Sequence, residues 1–193
     1  YGKTGVLFPD KPYRGLGFIY SGVINERRDI VGRNLYEGIE KSFYLNSIYQ
    51  GILGNTFHKY RVGASLQLDN YDEALNDSTF QRNEVVPGAY AEYSFSGPHA
   101  WSFVAGVRGD YHNLYGLIVT PRFHLQYGFT DESAIRFSFG KGTRVPNVIA
   151  ENTSLLASSR RFVVQEAIQP EESWNIGGSI THSIEVAGKP LSL

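Results

Sequence analysis

Apolar and polar residues alternate with a period of two along most of the chain. Between Trp101 and His112, one face carries Trp101, Phe103, Ala105, Val107, Gly109 and Tyr111. The other carries Ser102, Val104, Gly106, Arg108, Asp110 and His112. Successive side chains of a strand point to opposite faces, so this is a strand with one oily and one mostly polar side. The pattern recurs over Tyr60–Asp69, Val119–Tyr127, Ile135–Gly140 and Trp174–Val186. It predicts eight strands, at 15–25, 35–52, 57–70, 86–96, 100–113, 116–128, 134–144 and 173–187. Residues 3–8 read as the end of an earlier strand and 191–193 as the start of another. Pro121 has no N–H to give to a ladder, so a bulge is expected there. A short helix is expected within Val148–Ala157.

Short links are expected at Gly54-Asn55, Gly97-Pro98, Thr130-Asp131-Glu132 and Gly188-Lys189, with long polar ones at 26–34, 71–85 and 145–172. The brief link at 114–116 breaks that alternation. Up-and-down membrane barrels have short turns on one side and long loops on the other, whereas a soluble sandwich has no reason to sort its loops. Strands of about 9–11 residues cross a bilayer without any long apolar run. Tyr44, Tyr49, Tyr71, Tyr90, Tyr93, Trp101, Tyr111, Tyr115, Tyr127 and Trp174 fall near strand ends, where amphipathic rings suit the headgroup level. The expected fold is all-β, an antiparallel up-and-down transmembrane barrel segment.

Composition narrows the chemistry. The 193 residues carry a net charge of −1, so no global field points to nucleic acid. There is no Cys, which removes disulfides and cysteine zinc sites. No signal peptide is visible at Tyr1 and there is no Met, so a segment of a longer chain is expected. Gly140-Lys141-Gly142-Thr143 lacks the upstream Gly of a phosphate loop, and no strand–turn–helix follows it. A hairpin closing over Leu114-Tyr115-Gly116 places Gly106 opposite His124, which leaves His112 and His124 about 20 Å apart and unable to share a metal. The same register sets Arg108 opposite Arg122, with Asp110 diagonal to it. Like charges face to face need carboxylates between them. No nucleophile–base set is present, so an enzyme is not expected and neither is a cofactor.

From Gly88 to Asn175 the motifs become specific. Gly88-Ala89-Tyr90-Ala91-Glu92-Tyr93, Ala105-Gly106-Val107-Arg108-Gly109-Asp110, Tyr115-Gly116 and Thr120-Pro121-Arg122 occur in that order. Arg136-Phe137-Ser138-Phe139-Gly140-Lys141-Gly142-Thr143-Arg144-Val145-Pro146-Asn147 follows, then Ala150-Glu151-Asn152 and Pro170-Glu171-Glu172-Ser173-Trp174-Asn175. This succession resembles the C-terminal half of the barrel in TonB-dependent outer-membrane receptors, with Thr143 departing from the family's usual aromatic. The resemblance covers roughly 35–187, and the whole of 1–193 is expected to be a partial barrel domain.

The resemblance implies a 22-stranded barrel in the bacterial outer membrane, a plug domain, and uptake of a scarce nutrient (ferric siderophore, haem, cobalamin, metal or glycan) powered through TonB. Its expected partners are outer-membrane lipid, the nutrient ligand, TonB through a missing N-terminal part, and a surface lipoprotein. Arg108, Asp110 and Arg122 are the candidates for facing the lumen and the plug. In the long loop, Asn147, Glu151, Asn152, Arg160 and Arg161 are the candidates for ligand contact, since loops on a rigid scaffold often bind. The alternative is a complete eight-stranded barrel with a structural or adhesive role. An outer-membrane lipase or protease and a soluble sandwich are the remaining alternatives.

Overall fold

A computed structural model describes residues 1–97, 100–130, 132–152, 154, 157, 168–186 and 189–192. The strands are β1 (Gly2–Phe8), β2 (Lys11–Val31), β3 (Asn34–Ile52), β4 (His58–Leu75), β5 (Ser78–Ser96), β6 (Trp101–His112), β7 (Gly116–Thr130), β8 (Ser133–Arg144), β9 (Glu171–Val186) and β10 (Lys189–Ser192). One helical turn, α1 (Val148–Glu151), lies between β8 and β9. All ten strands form one antiparallel sheet in sequence order.

The side chains invert the arrangement of a soluble protein. Leu117 and Ile176 are 70% and 72% exposed, whereas Asp69 and Glu92 are 5% and 8% exposed. Among the described residues the buried apolar side chains are Tyr36 and Ile149 alone, in one small cluster. Among the described residues no second sheet covers the oily face. That face runs from Tyr60 to Leu68 on β4, from Phe95 to Val85 on β5, from Trp101 to Tyr111 on β6 and from Tyr127 to Leu117 on β7, each set opposite the next. Ten steps along β6, tilted by about 40°, give a band about 25 Å high, the apolar height of an outer-membrane barrel. Aromatic rings line its lower edge in a chain of neighbours. Tyr49 meets Tyr60 at 6.0 Å, His58 meets Phe95 at 5.1 Å, Phe95 meets Phe103 at 5.7 Å and Trp101 meets Tyr127 at 4.3 Å between centroids.

Several expectations change. The segments 26–34 and 71–85 are not loops. β2 and β3 close around Gly32-Arg33, and β4 and β5 around Asn76-Asp77, with Gly32 and Asn76 at positive φ. Both hairpins stand well beyond the apolar band. Above it the outer face meets water instead of lipid and turns polar like the inner one, so the period-two signal fades while the ladder continues. The alternation therefore lies in hairpin height, and much of the long link expected at 145–172 lies outside the described residues. Of the helix expected within Val148–Ala157, the single turn α1 is described, and Thr153, Leu155 and Leu156 lie outside the described residues. Pro121 makes no bulge. It sits opposite Val107, and the ladder to β8 reaches no further than Arg122, so on that side no bond is lost. The register breaks fall at Leu7/Phe8 and Gly128/Thr130 instead.

The β6–β7 register is also corrected. The ladder closes on His112 opposite Gly116, with Gly116 at φ +76° as the last paired residue instead of part of the loop. Gly106 therefore faces Arg122, Val104 faces His124 and Arg108 faces Thr120. Arg108 and Arg122 do not oppose each other, and Asp110 is not diagonal to Arg122.

Candidate functional site: the polar face of the wall

The polar face carries a lattice of charges that bridges strands. Glu92 on β5 accepts hydrogen bonds from Arg61 on β4, at 3.2 Å, and from Arg122 on β7. Arg122 lies two strands away and passes over β6 at Gly106, where a Cβ would sit 3.1 Å from its Nε. Arg108 on β6 grips Asp110 with Nε and Nη2, both at 2.6 Å, and Nη2 also donates to Ser65 on β4 at 2.7 Å. Its path crosses β5 at Gly88, where any Cβ would overlap Asp110 Oδ1. Glycines at these two crossings let guanidinium groups lie flat across a neighbouring strand. The carboxylate needed between two arginines comes from the wall's own Glu92, a role the residue pattern alone did not reveal because it depends on register. Tyr90 covers Gly63 on the strand beside it and donates to Asn46 Oδ1 at 3.2 Å. Tyr44, Tyr71 and Tyr90 thus belong to the inner face and not to the lipid interface, because they share the parity of Asn46, Asp69 and Glu92.

Toward the hairpin tips the inner face turns acidic. Asp69, Glu73 and Glu84 are buried there, together with His112. His112 Nδ1 accepts from the Leu114 N–H at 3.2 Å, and its Nε2 faces Glu84 Oε2 at 3.5 Å. Arg82 Nε pairs with Glu84 at 2.8 Å, and its guanidinium lies 4.5 Å from the Tyr71 ring centroid. Burial, reinforced by Asp69, Glu84 and Glu40, pushes the Tyr71 phenol up to about 12. Burial and the Glu73 hydrogen bond raise the Tyr36 phenol as well.

The loop candidates fall near this acidic end. Asn147 caps α1, its side chain accepting from the Ala150 N–H at 3.3 Å, and its Nδ2 donates to Glu73 at 3.2 Å. Glu151 accepts from the Asn147 N–H at 2.9 Å and pairs with Arg144 at 3.0 Å. Their polar groups therefore fasten the segment to itself and to the wall. Asn152 follows as the C-cap. Arg160 and Arg161 lie outside the described residues. Among the described residues no cluster of His, Asp and Glu has a metal-binding arrangement.

A single sheet that turns oil outward over bilayer height and charge inward, without a covering layer, is the wall of a membrane-spanning β-barrel. The family model described as TonB dependent receptor-like, beta-barrel, matches residues 6–183, and the chain belongs to that family, whose members lie in the bacterial outer membrane. Three solved structures share the fold. One is the FpvAI–pyocin S2 complex, at TM-score 0.59 and 14% identity, covering 93% of this chain and 28% of that one. The siderophore receptor PirA from Pseudomonas aeruginosa matches at 0.61 and 13%, covering 89% and 36%. The ferric citrate transporter FecA, unliganded, matches at 0.52 and 11%, covering 94% and 34%. The chain thus spans about a third of the length of these structures. No curated protein matched the sequence.

Proposed function

We propose that the chain is a sector of the wall of an outer-membrane active importer of a scarce nutrient: a ferric siderophore, haem, cobalamin, a metal or a glycan. Energy would reach it from the TonB complex through an N-terminal part of the parent protein. The observation that carries this reading is the buried Glu92 between Arg61 and Arg122 on a face with no apolar layer against it. Such a lattice suits a face turned to water or another polar body, as in a wide bore, since even paired charges lose their solvation in a dry centre. The alternative of a complete small barrel is less well supported, because among the described residues no ladder joins β1 to β10.

Within this reading Arg108, Asp110 and Arg122 face a plug. Arg108 is neutralised by Asp110, but Arg61 and Arg122 share one carboxylate, so this spot retains one positive charge for a plug carboxylate. The loop at 145–172, with Asn147, Glu151, Asn152, Arg160 and Arg161, is the ligand-facing segment, in which Asn147 and Glu151 act by holding its shape. Outer-membrane lipid covers the apolar band, and a surface lipoprotein is a further partner. Deletion of the parent gene should abolish growth on one sole source among iron complexes, cobalamin or glycans, and normal growth on all of them would dismiss import. Arg122→Glu in the parent should loosen plug retention and lower uptake, and unchanged values for both would dismiss the docking role.

A further inference from the structure

Among the described residues, the buried apolar contact lies outside the membrane band. It joins Ile149, on the loop after β8, to Tyr36 on β3, with Val31, Leu75 and Ala150 packed around them. Tyr36 is 3% and Ile149 6% exposed. Beside this contact the buried Glu73 carboxylate receives two donors on the same oxygen, the Tyr36 hydroxyl at 2.6 Å and Asn147 Nδ2 at 3.2 Å. Arg82 adds a third tie, donating from Nη1 to the Pro146 carbonyl at 3.3 Å. These partners come from β3, β4 and β5, more than sixty positions away in the chain.

The shape of the rim explains why the segment lies here. The β6–β7 hairpin ends level with Val85, where Asn113 N–H donates to the Val85 carbonyl and Asn113 Oδ1 accepts from the Val85 N–H. The β4–β5 hairpin continues to Asn76-Asp77, about 25 Å further along the strand at the usual rise per residue. A notch therefore separates the tall hairpins from β8.

We propose that Pro146–Glu151 is a detachable strap that docks on the inner wall of the tall hairpins through a Tyr36–Glu73–Asn147 latch, and that its release opens this flank of the bore's mouth. The latch suits reversible closure. A four-residue helix has no stability of its own. Its hold on the wall is one buried apolar side chain, Ile149, and two hydrogen bonds, through Asn147 and the Pro146 carbonyl, so local opening costs far less than unfolding the sheet. The proposal depends on the outer-membrane reading only for the side from which a reagent arrives, and its readout does not involve transport.

The test uses the full-length parent, freed of other cysteines, in intact cells. Ile149→Cys is labelled with a membrane-impermeant maleimide, and Ile30→Cys, at an open hairpin tip, serves as the accessible control. The Ile149→Cys site should label to completion but far more slowly than the control. Adding Glu73→Ala or Asn147→Ala should speed it about ten- to a hundredfold, the range expected when a buried hydrogen bond to a charged group is lost from an opening equilibrium. Asn147→Ala leaves the wall intact, so it remains informative if Glu73→Ala fails to assemble. Labelling as fast as the control would show that the strap does not dock. No labelling over hours would show that it does not release, and rates unmoved by Asn147→Ala would show that the latch does not hold it. Each of these results overturns the proposal, while the importer reading would stand.

Discussion

Replacing Val107 by Arg tests the inside–outside assignment of the whole wall. Val107 lies near the middle of the outward set on β6, between Ala91 on β5 and Pro121 on β7, and is half exposed because no protein covers it. An arginine there must sit near the mid-plane of the bilayer. The cost on the lipid face is about 2–4 kcal/mol at the mid-plane and about 0–1 kcal/mol near the interfaces. Tyr111, four positions further along the same face, lies at the band's edge, so Tyr111→Arg should fall in the lower range. Val104 points to the bore opposite His124, where Arg meets water or polar groups, so Val104→Arg should cost under about 1 kcal/mol. Denaturant titration of the parent refolding into lipid vesicles gives all three values. At about 1.4 kcal/mol per tenfold, the mid-plane variant should shift the folding equilibrium about thirty- to a thousandfold. If Val104→Arg cost as much as Val107→Arg, the two faces would be wrongly assigned and the barrel reading would fall.

Three further outcomes follow from single contacts. Gly63→Val should destabilise the parent by about 1–3 kcal/mol in the same titration, because the added Cβ overlaps both the Tyr90 ring and the Ser47 carbonyl, whereas Gly109→Ala, with Leu117 Cδ1 at 3.9 Å, should be tolerated. Arg61→Ala and Arg122→Ala should each cost about 1 kcal/mol or less, since both arginines are more than half exposed, but the double variant strands a buried Glu92 and should cost about 3–5 kcal/mol; additivity of the singles would refute the shared clamp. Tyr71, raised to about 12, holds its proton more tightly folded than unfolded. Its contribution is complete below the ordinary tyrosine value near 10 and is lost as pH rises through about 12; an ultraviolet titration in which no tyrosine of the native parent lags its Tyr71→Phe variant would contradict this.

What could be read from the sequence divides at the membrane surface. Within the band, one face meets lipid and the other the bore, so Tyr60–Leu68 and Trp101–Tyr111 announce strand and face together. Above the band the outer face meets water and the inner face is charged, and Glu26-Arg27-Arg28-Asp29 reads as loop although each residue is paired with β3. Gly32 and Asn76 accept positive φ, but nothing in their neighbours tells a tight tip from a long link. Gly116 misled in a different way. A glycine at positive φ fits both a loop and the last rung, and choosing the loop displaced every pair between β6 and β7 by two. That hid Glu92 as the partner of Arg122, because the contact crosses an intervening strand and no nearest-neighbour rule predicts it. The strap was equally out of reach, since Tyr36 and Ile149 are brought together only by the differing heights of the hairpins.

The two arginines that cross a glycine have a mechanical consequence. A backbone ladder ties each strand only to its nearest neighbours. A guanidinium anchored on the second strand along acts like the diagonal in a truss, so β4 to β7 must shear together or not at all. A pull applied to anything seated in the bore is then shared across four strands as by a stiff panel, where an unbraced sheet would yield one hairpin at a time.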